Sequence, residues 1–308
     1  MTTTSYPSPR LPRLRMRSFA ALHLAVLLFG AAGVLGKYLT MTALTLVFGR
    51  TLFASLVLLP FVRWNVIRRP GSTMKLFLSG ALLAVHWLTF FASLTYAPVA
   101  FGLMGFATFP VFVALLEPWL FGQGRRRQDM VMAIFVVSGL IVMMSDTRWE
   151  DGSPQALLVG MLSGLSFALL TLTNRKQSQS MSAVEIAFLQ NSVACLVLTP
   201  FILYQGELTH ISVSGWGLLA ILGIVFTALS HSLFAFSLKQ LSASLVSVTA
   251  ALEPVYGMVL AYLVLGETIS VRGIMGATIV IATTTCASYF STRGHEGASV
   301  TVDTDRQK

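Results

Sequence analysis

Phe48–Phe61 (FGRTLFASLVLLPF) aligns without a gap on Phe188–Phe201 (FLQNSVACLVLTPF), at an offset of 140 residues and with 7 identities in 14 positions. Ser93–Gln123 repeats as Ser237–Glu267 at an offset of 144, with 7 identities in 31, pairing Pro110 with Pro254 and Gly122 with Gly266. Two matches in the same order and at nearly the same offset indicate a duplicated chain. Both matches lie inside long apolar windows, so the duplicated unit is built from buried or membrane-spanning segments.

Working outward, the same kind of window recurs along the chain: 18–36, 43–62, 76–96, 98–121, 130–145, 156–173, 183–204, 213–238, 241–266 and 273–290. Most of them approach the roughly 20 residues that cross a bilayer as helix. Only 11% of the 308 residues are charged and 55% are apolar, whereas soluble domains carry about a quarter charged residues. That excludes an ordinary soluble enzyme. The alternation expected of a β-barrel is absent, and spanning backbone must satisfy its own hydrogen bonds, so the expected fold is an all-α membrane protein of ten transmembrane helices. The connections are too short for a soluble domain.

The net charge of +9 does not form a basic surface suited to nucleic acid, because Lys and Arg lie in short clusters between windows. With the N-terminus inside, 17 of them fall on cytoplasmic segments, among them Arg10, Arg13, Arg15, Arg17, Arg63, Arg68, Arg69, Lys75 and Arg125 to Arg127. Lys37, Arg148 and Arg272 fall outside, beside Asp146, Glu150, Asp151, Glu207 and Glu267, and Arg50 lies within a span. The positive-inside rule then places both termini in the cytoplasm. The first apolar run, 19 residues long, exceeds a secretory h-region and reads as an uncleaved span. Cys195 and Cys286 fall inside spans and read as packing residues.

The expected organisation is a basic tail over 1–17, a first five-helix repeat over 18–145, a second over 156–290 and a tail over 291–308. Five is odd, so the second copy enters the membrane from the opposite side and the repeats are inverted. Inverted repeats suit alternating access around a site near the midplane, which predicts a transporter of a small-molecule substrate. Ten spans in two five-helix repeats, with Leu252-Glu253-Pro254 followed by Gly266-Glu267, and Phe109-Pro110 followed by Gly122-Gln123, resemble the EamA family of the drug/metabolite transporter superfamily. Arg50 in the second helix also fits that pattern. The resemblance implies an exporter of an amino acid or related metabolite in the bacterial cytoplasmic membrane. Gln123 departs from the Gly-Glu often found there.

Ionisable groups inside spans are costly and mark candidate sites. Glu253, near the middle of the ninth window, is the deepest acid, suited to a substrate amine, to proton exchange or to pairing with Arg50. Arg50 is suited to a carboxylate or to snorkelling toward the outer interface. His86 is the better candidate for proton coupling, ahead of His231. Pro110 and Pro254 free backbone carbonyls at matching places and are expected to line a cavity. Trp87 and Tyr256, with Phe90, Phe91, Phe106 and Phe109, cluster around those positions. Glu117 is expected in an interfacial salt bridge with Arg125 to Arg127. Gly30, Gly33 and Gly36, like Gly160 and Gly164, read as close-packing faces. No nucleotide loop or H-E-x-x-H motif is present, so no cofactor is expected. An ungated facilitator, a receptor-like protein and an intramembrane enzyme using Gly164-Leu165-Ser166 with His231 are the competing readings.

Overall fold

The computed structural model of the protein describes residues 10–36, 41–64, 72–122, 124, 126–149 and 151–304. Lys37, Arg68, Arg69, Gln123, Arg125 and Glu150 lie outside the described residues. The chain is all helical there, with no strand among the described residues, and forms ten spans. They are α1 (Arg10–Gly36), α2 (Ala43–Leu58, continued by a 3-10 turn Leu59–Phe61), α3 (Ser72–Tyr96), α4 (Val99–Phe106 and Phe109–Phe121) and α5 (Arg127–Met143). The second five are α6 (Ser153–Gln177), α7 (Ala183–Gln205), α8 (Val213–Gly223, a π-helical turn Ile224–Leu229, and Ser230–Ser237), α9 (Ala243–Ala250 and Glu253–Leu265) and α10 (Val271–Thr304). Nine are long and apolar enough to cross a bilayer by length and composition. The tenth, α5, has 17 residues, or about 25 Å of rise.

Several boundaries differ from the apolar windows. α1 is already helical at Arg10, so part of the basic tail is helix; Pro12 falls in its first turn, where its missing N–H has no partner to lose. α10 likewise runs past its apolar window to Thr304. The windows over α4 and α9 are each interrupted, at Ala107–Thr108 and at Ala251–Leu252, positions that are 144 apart. The cause is local: Pro110 and Pro254 sit in the first turn of each second half and donate no backbone hydrogen bond. The chain tightens there, Thr108 N–H bonding to Gly105 at 3.2 Å and Leu252 N–H to Thr249 at 3.0 Å, both three residues back. The second halves end alike, on Gly122 (φ 62°) and Gly266 (φ 68°), left-handed caps that favour glycine.

The helices sort into two compact units, and each draws on both halves of the sequence: residues 1–88 with 169–242, and 89–168 with 243–308. In the first unit α2 lies along α7 and α1 along the end of α8. Ala54, Leu58, Ile186, Ala187 and Ala228 pack together there. In the second unit α10 lies along α5. Glycine permits this: a Cβ at Gly276 would meet the Gly139 carbonyl at 2.4 Å. Gly160 similarly approaches the Gly102 carbonyl, where an added Cβ would stand 2.4 Å away, and Gly164 faces the Phe106 carbonyl. Gly33 is different, since a Cβ there meets nothing within 4 Å, so it is no packing face. Cys195 is buried as expected, whereas Cys286 is exposed.

Loop contacts obey the alternation of ten spans, each joining segments assigned to the same side. Arg63, in the connection between α2 and α3, donates to Glu185 in the first turn of α7 at 2.8 Å, where Glu185 also completes a capping box with Ser182. Arg272 meets Asp146 at 2.9 Å, and Glu207 accepts from the Thr42 hydroxyl at 2.5 Å and from Thr45. The Thr42 and Thr45 hydroxyls hold the Glu207 carboxyl below its ordinary range. A carboxyl lowered on folding stabilises the fold above its unfolded pKa, and the contribution is lost as pH falls through the folded value. Glu207→Gln is therefore expected to melt below the parent at neutral pH, with the two converging below about pH 4. Thermal unfolding followed by tryptophan fluorescence across that range checks it; a gap that persists at acid pH contradicts the assignment.

Candidate functional site

In the first unit a polar cluster is built around Arg50. Its guanidinium carbon stands 4.9 Å from the centre of the Trp87 ring, a geometry that stabilises a cation away from water. Arg50 Nε donates to Thr227 Oγ1 at 3.0 Å, and one Nη donates to the Phe226 carbonyl at 3.4 Å. The π-helical turn of α8 makes this possible. Thr227 donates its hydroxyl to the Leu222 carbonyl five residues back, at 2.8 Å, which leaves its oxygen to accept from Arg50. Gly223 lets the α2 backbone come close, since a Cβ there would meet the Arg50 carbonyl at 2.9 Å. Arg50 is thus turned onto α3 and α8, and these contacts fix the guanidinium plane.

Trp87 also meets the His231 ring edge-on at 5.4 Å, and Phe29 closes on His231 at 5.5 Å. His231 is 7% exposed. Asn174 Nδ2 donates to Gln190 Oε1 at 3.2 Å, which turns the amide nitrogen of Gln190 toward His231 Nδ1 at 3.3 Å. In that amide orientation Nδ1 accepts and the imidazole proton sits on Nε2. The register explains the layout. Trp87 and His231 are 144 apart, Arg50 and Gln190 are 140 apart, and the two matched pairs, Arg50 with Trp87 and Gln190 with His231, meet side by side. His86 is buried at 5% exposure, one residue before Trp87 on α3.

In the second unit the breaks of α4 and α9 face each other. Leu103, Phe106, Ala107 and Phe109 from one, Ala250, Ala251, Glu253 and Pro254 from the other, and Leu140 line a pocket of about 30 Å³. That volume suits a water molecule or two, and a metabolite needs the halves to part. Pro254 is on the wall, and Pro110 is buried next to Phe109. Phe106 stacks on Phe109 at 5.5 Å, with Phe90 and Phe167 edge-on or tilted against them. Glu253 holds the register position of Phe109, so the pocket is acidic on one side and aromatic on the other. Tyr256 is half-buried, three residues further along α9.

The structure therefore gathers Arg50 and Trp87 in one unit and Glu253, Pro254 and Pro110 in the other, with His86 in the first and Tyr256 in the second. Sequence reasoning passed over Thr227, Asn174 and Gln190 as site residues, and ranked His231 below His86. Amides inside spans were a usable signal for Asn174 and Gln190, because a buried amide in lipid seeks a partner. The π-helical turn left no such mark. Glu117 accepts from the start of α9, and Arg125, one of the arginines expected beside it, lies outside the described residues. No group of three or more potential metal ligands occurs among the described residues.

The sequence profile described as the EamA-like transporter family matches residues 17–145 and again 154–289. A transporter of Archaeoglobus fulgidus is 28% identical over 251 residues, covering 78% of this chain and 86% of the relative. An S-adenosylmethionine uptake transporter of Rickettsia prowazekii is 29% identical over 259 residues, covering 82% and 85%. A pseudopaline exporter of Pseudomonas aeruginosa is 24% identical over 244 residues, covering 79% and 84%. A crystal structure 14% identical in sequence superposes with a TM-score of 0.78 over 92% of this chain and 98% of its own, a likeness of fold. Ten helices, two broken at matching prolines, and two successive profile matches that together span most of the chain lead to one assignment: this protein belongs to the EamA-like transporter family, and it is a multi-pass membrane transporter.

Proposed function

We propose that the protein exports a small zwitterionic or weakly polar metabolite, such as an amino acid or related compound, across the bacterial cytoplasmic membrane by alternating access of two inverted five-helix repeats. The observation that carries this reading is Arg50, a cation kept inside a span by Trp87, Thr227 and the Phe226 carbonyl. A charge at that depth costs several kcal/mol unless it is paired or hydrated, which supports a role for one kept there. In this reading Arg50 recognises a carboxylate, Trp87 covers it, and Glu253 beside the break of α9 receives an amine or a proton. His86 is the proposed proton partner, Tyr256 a further polar contact, and Pro110 and Pro254 mark the places where α4 and α9 flex. One relative is named for S-adenosylmethionine uptake and another for pseudopaline export, so transport of polar metabolites in either direction occurs among similar chains.

A panel of toxic amino-acid and metabolite analogues, scored for protection of cells that express the protein, tests the reading. Protection that requires Glu253 supports it, and no change across the panel counts against export. Glu253→Gln is expected to lower transport about tenfold and to remove its dependence on pH, at unchanged membrane abundance. Retained pH dependence in that variant would reduce Glu253 to a structural residue.

Topology has its own test. With both termini inside, a cysteine at Asp151 is expected to react with an impermeant thiol reagent in intact cells, and one at Ser299 to react only after lysis. The reverse pattern would invert the proposed orientation.

A further inference from the structure

Glu117 lies in the second half of α4, and is 3% exposed. Its carboxylate accepts the backbone N–H groups of Ala243 and Ser244, both at 2.7 Å, and the Ser244 hydroxyl. Those amides belong to the first turn of α9 and have no acceptor within their own helix, so the acid supplies what the helix start lacks. Its negative charge also suits the positive end of the helix dipole. The contact joins the second half of α4 to the first half of α9. By the charge count these are the cytoplasmic halves of the two broken helices.

The 144-residue register shows what stands at the matching outer place. Glu117 corresponds to Ala261, and Ala243 and Ser244 correspond to Val99 and Ala100. Pro98 caps the start of α4 with no side-chain hydrogen bond, and Ala261 offers only a methyl group. One side of the break pocket is thus fastened by three hydrogen bonds to a carboxylate, and on the other side the residue matching that carboxylate, Ala261, has no side-chain acceptor.

The geometry points to Glu117 as a positioning residue that clamps the cytoplasmic halves of α4 and α9 together, biasing the pocket beside Glu253 to open toward the outside. The inference rests on the alternating-access reading above. With the clamp closed, the outer halves are the ones able to part at the breaks. Release of the clamp admits the cytoplasm to the same pocket.

The test places a cysteine at Ala251, on the pocket wall, in a chain whose Cys195 and Cys286 are serine. A small impermeant methanethiosulfonate reports outer access in intact cells and cytoplasmic access in inside-out vesicles. The parent is expected to label faster from outside. Glu117→Gln shifts the ratio of the two rates toward the cytoplasm by about tenfold, Ser244→Ala by about threefold, and Glu117→Asp restores most of the parent's ratio. Should Glu117→Gln fail to accumulate, Ser244→Ala carries the comparison. General loosening of the fold would raise both rates and leave their ratio unchanged, and that result overturns the inference while sparing alternating access. Labelling from neither side in any variant defeats alternating access and the inference with it.

Discussion

Arg50→Leu is expected to reduce transport by at least about a hundredfold while the variant inserts and accumulates as the parent does. A hundredfold corresponds to about 2.7 kcal/mol, within reach of losing one charge-assisted pairing with a substrate carboxylate. The variant removes a costly charge from a span, so insertion has no reason to suffer. Arg50→Lys separates charge from geometry. An ammonium keeps the cation but lacks the planar fork that meets Thr227 and the Phe226 carbonyl together. We expect it to weaken apparent affinity more than maximal rate. Uptake and efflux assays in vesicles, normalised to protein amount, distinguish these outcomes. Full activity in Arg50→Leu would make the residue a structural one and remove the main support for carboxylate recognition.

The largest effect on stability is expected at Gly105. A methyl group there would stand 2.3 Å from the Leu157 carbonyl, 2.8 Å from the Met161 nitrogen and 2.9 Å from the Gly160 carbonyl carbon. All three are backbone atoms of α6, so no side chain can swing aside, and α4 and α6 must separate. Overpacking of this kind costs about 3 kcal/mol or more, a large share of the 5–15 kcal/mol that typically holds a domain. Gly105→Ala should leave less than about a tenth of the protein monodisperse after detergent extraction. Gly33→Ala is the matched control, because its new methyl meets nothing within 4 Å. It should behave as the parent in size-exclusion chromatography, and normal behaviour of Gly105→Ala would show that the two helices yield easily.

The number of spans was legible because bilayer thickness imposes a length that survives any detail of packing. That Pro110 and Pro254 disturb α4 and α9 was legible too, since proline removes a donor wherever it falls, whereas the break of each helix into two was not. What escaped was set by partners distant in sequence. Nothing near Glu117 announces that its oxygens meet the α9 amides 126 and 127 residues later. The α8 π-helical turn depends on Thr227 bonding back to Leu222, a choice that a Val, Phe and Thr run does not dictate. Arg50 was correctly marked as an intramembrane charge, but its orientation came from Trp87 and from that turn. The contacts of His231 with Gln190 and Trp87 likewise lie far from it in sequence.

The separation between Arg50 and Thr227 is 177 residues, and it has a consequence for how the chain is made. At roughly 5–20 residues per second of synthesis, about 10 to 35 seconds pass between the translation of the two. During that interval α2 enters the bilayer with its cation and without the α8 turn that will receive it. Trp87, in the very next span, is made well before Phe226 and Thr227. The indole face therefore acts as an early shelter for the guanidinium during biogenesis, at a stage when an unpaired arginine invites ejection of the helix from the membrane. On this account Trp87→Ala should show its defect first in insertion of nascent chains truncated before α8, and only afterwards in the finished protein.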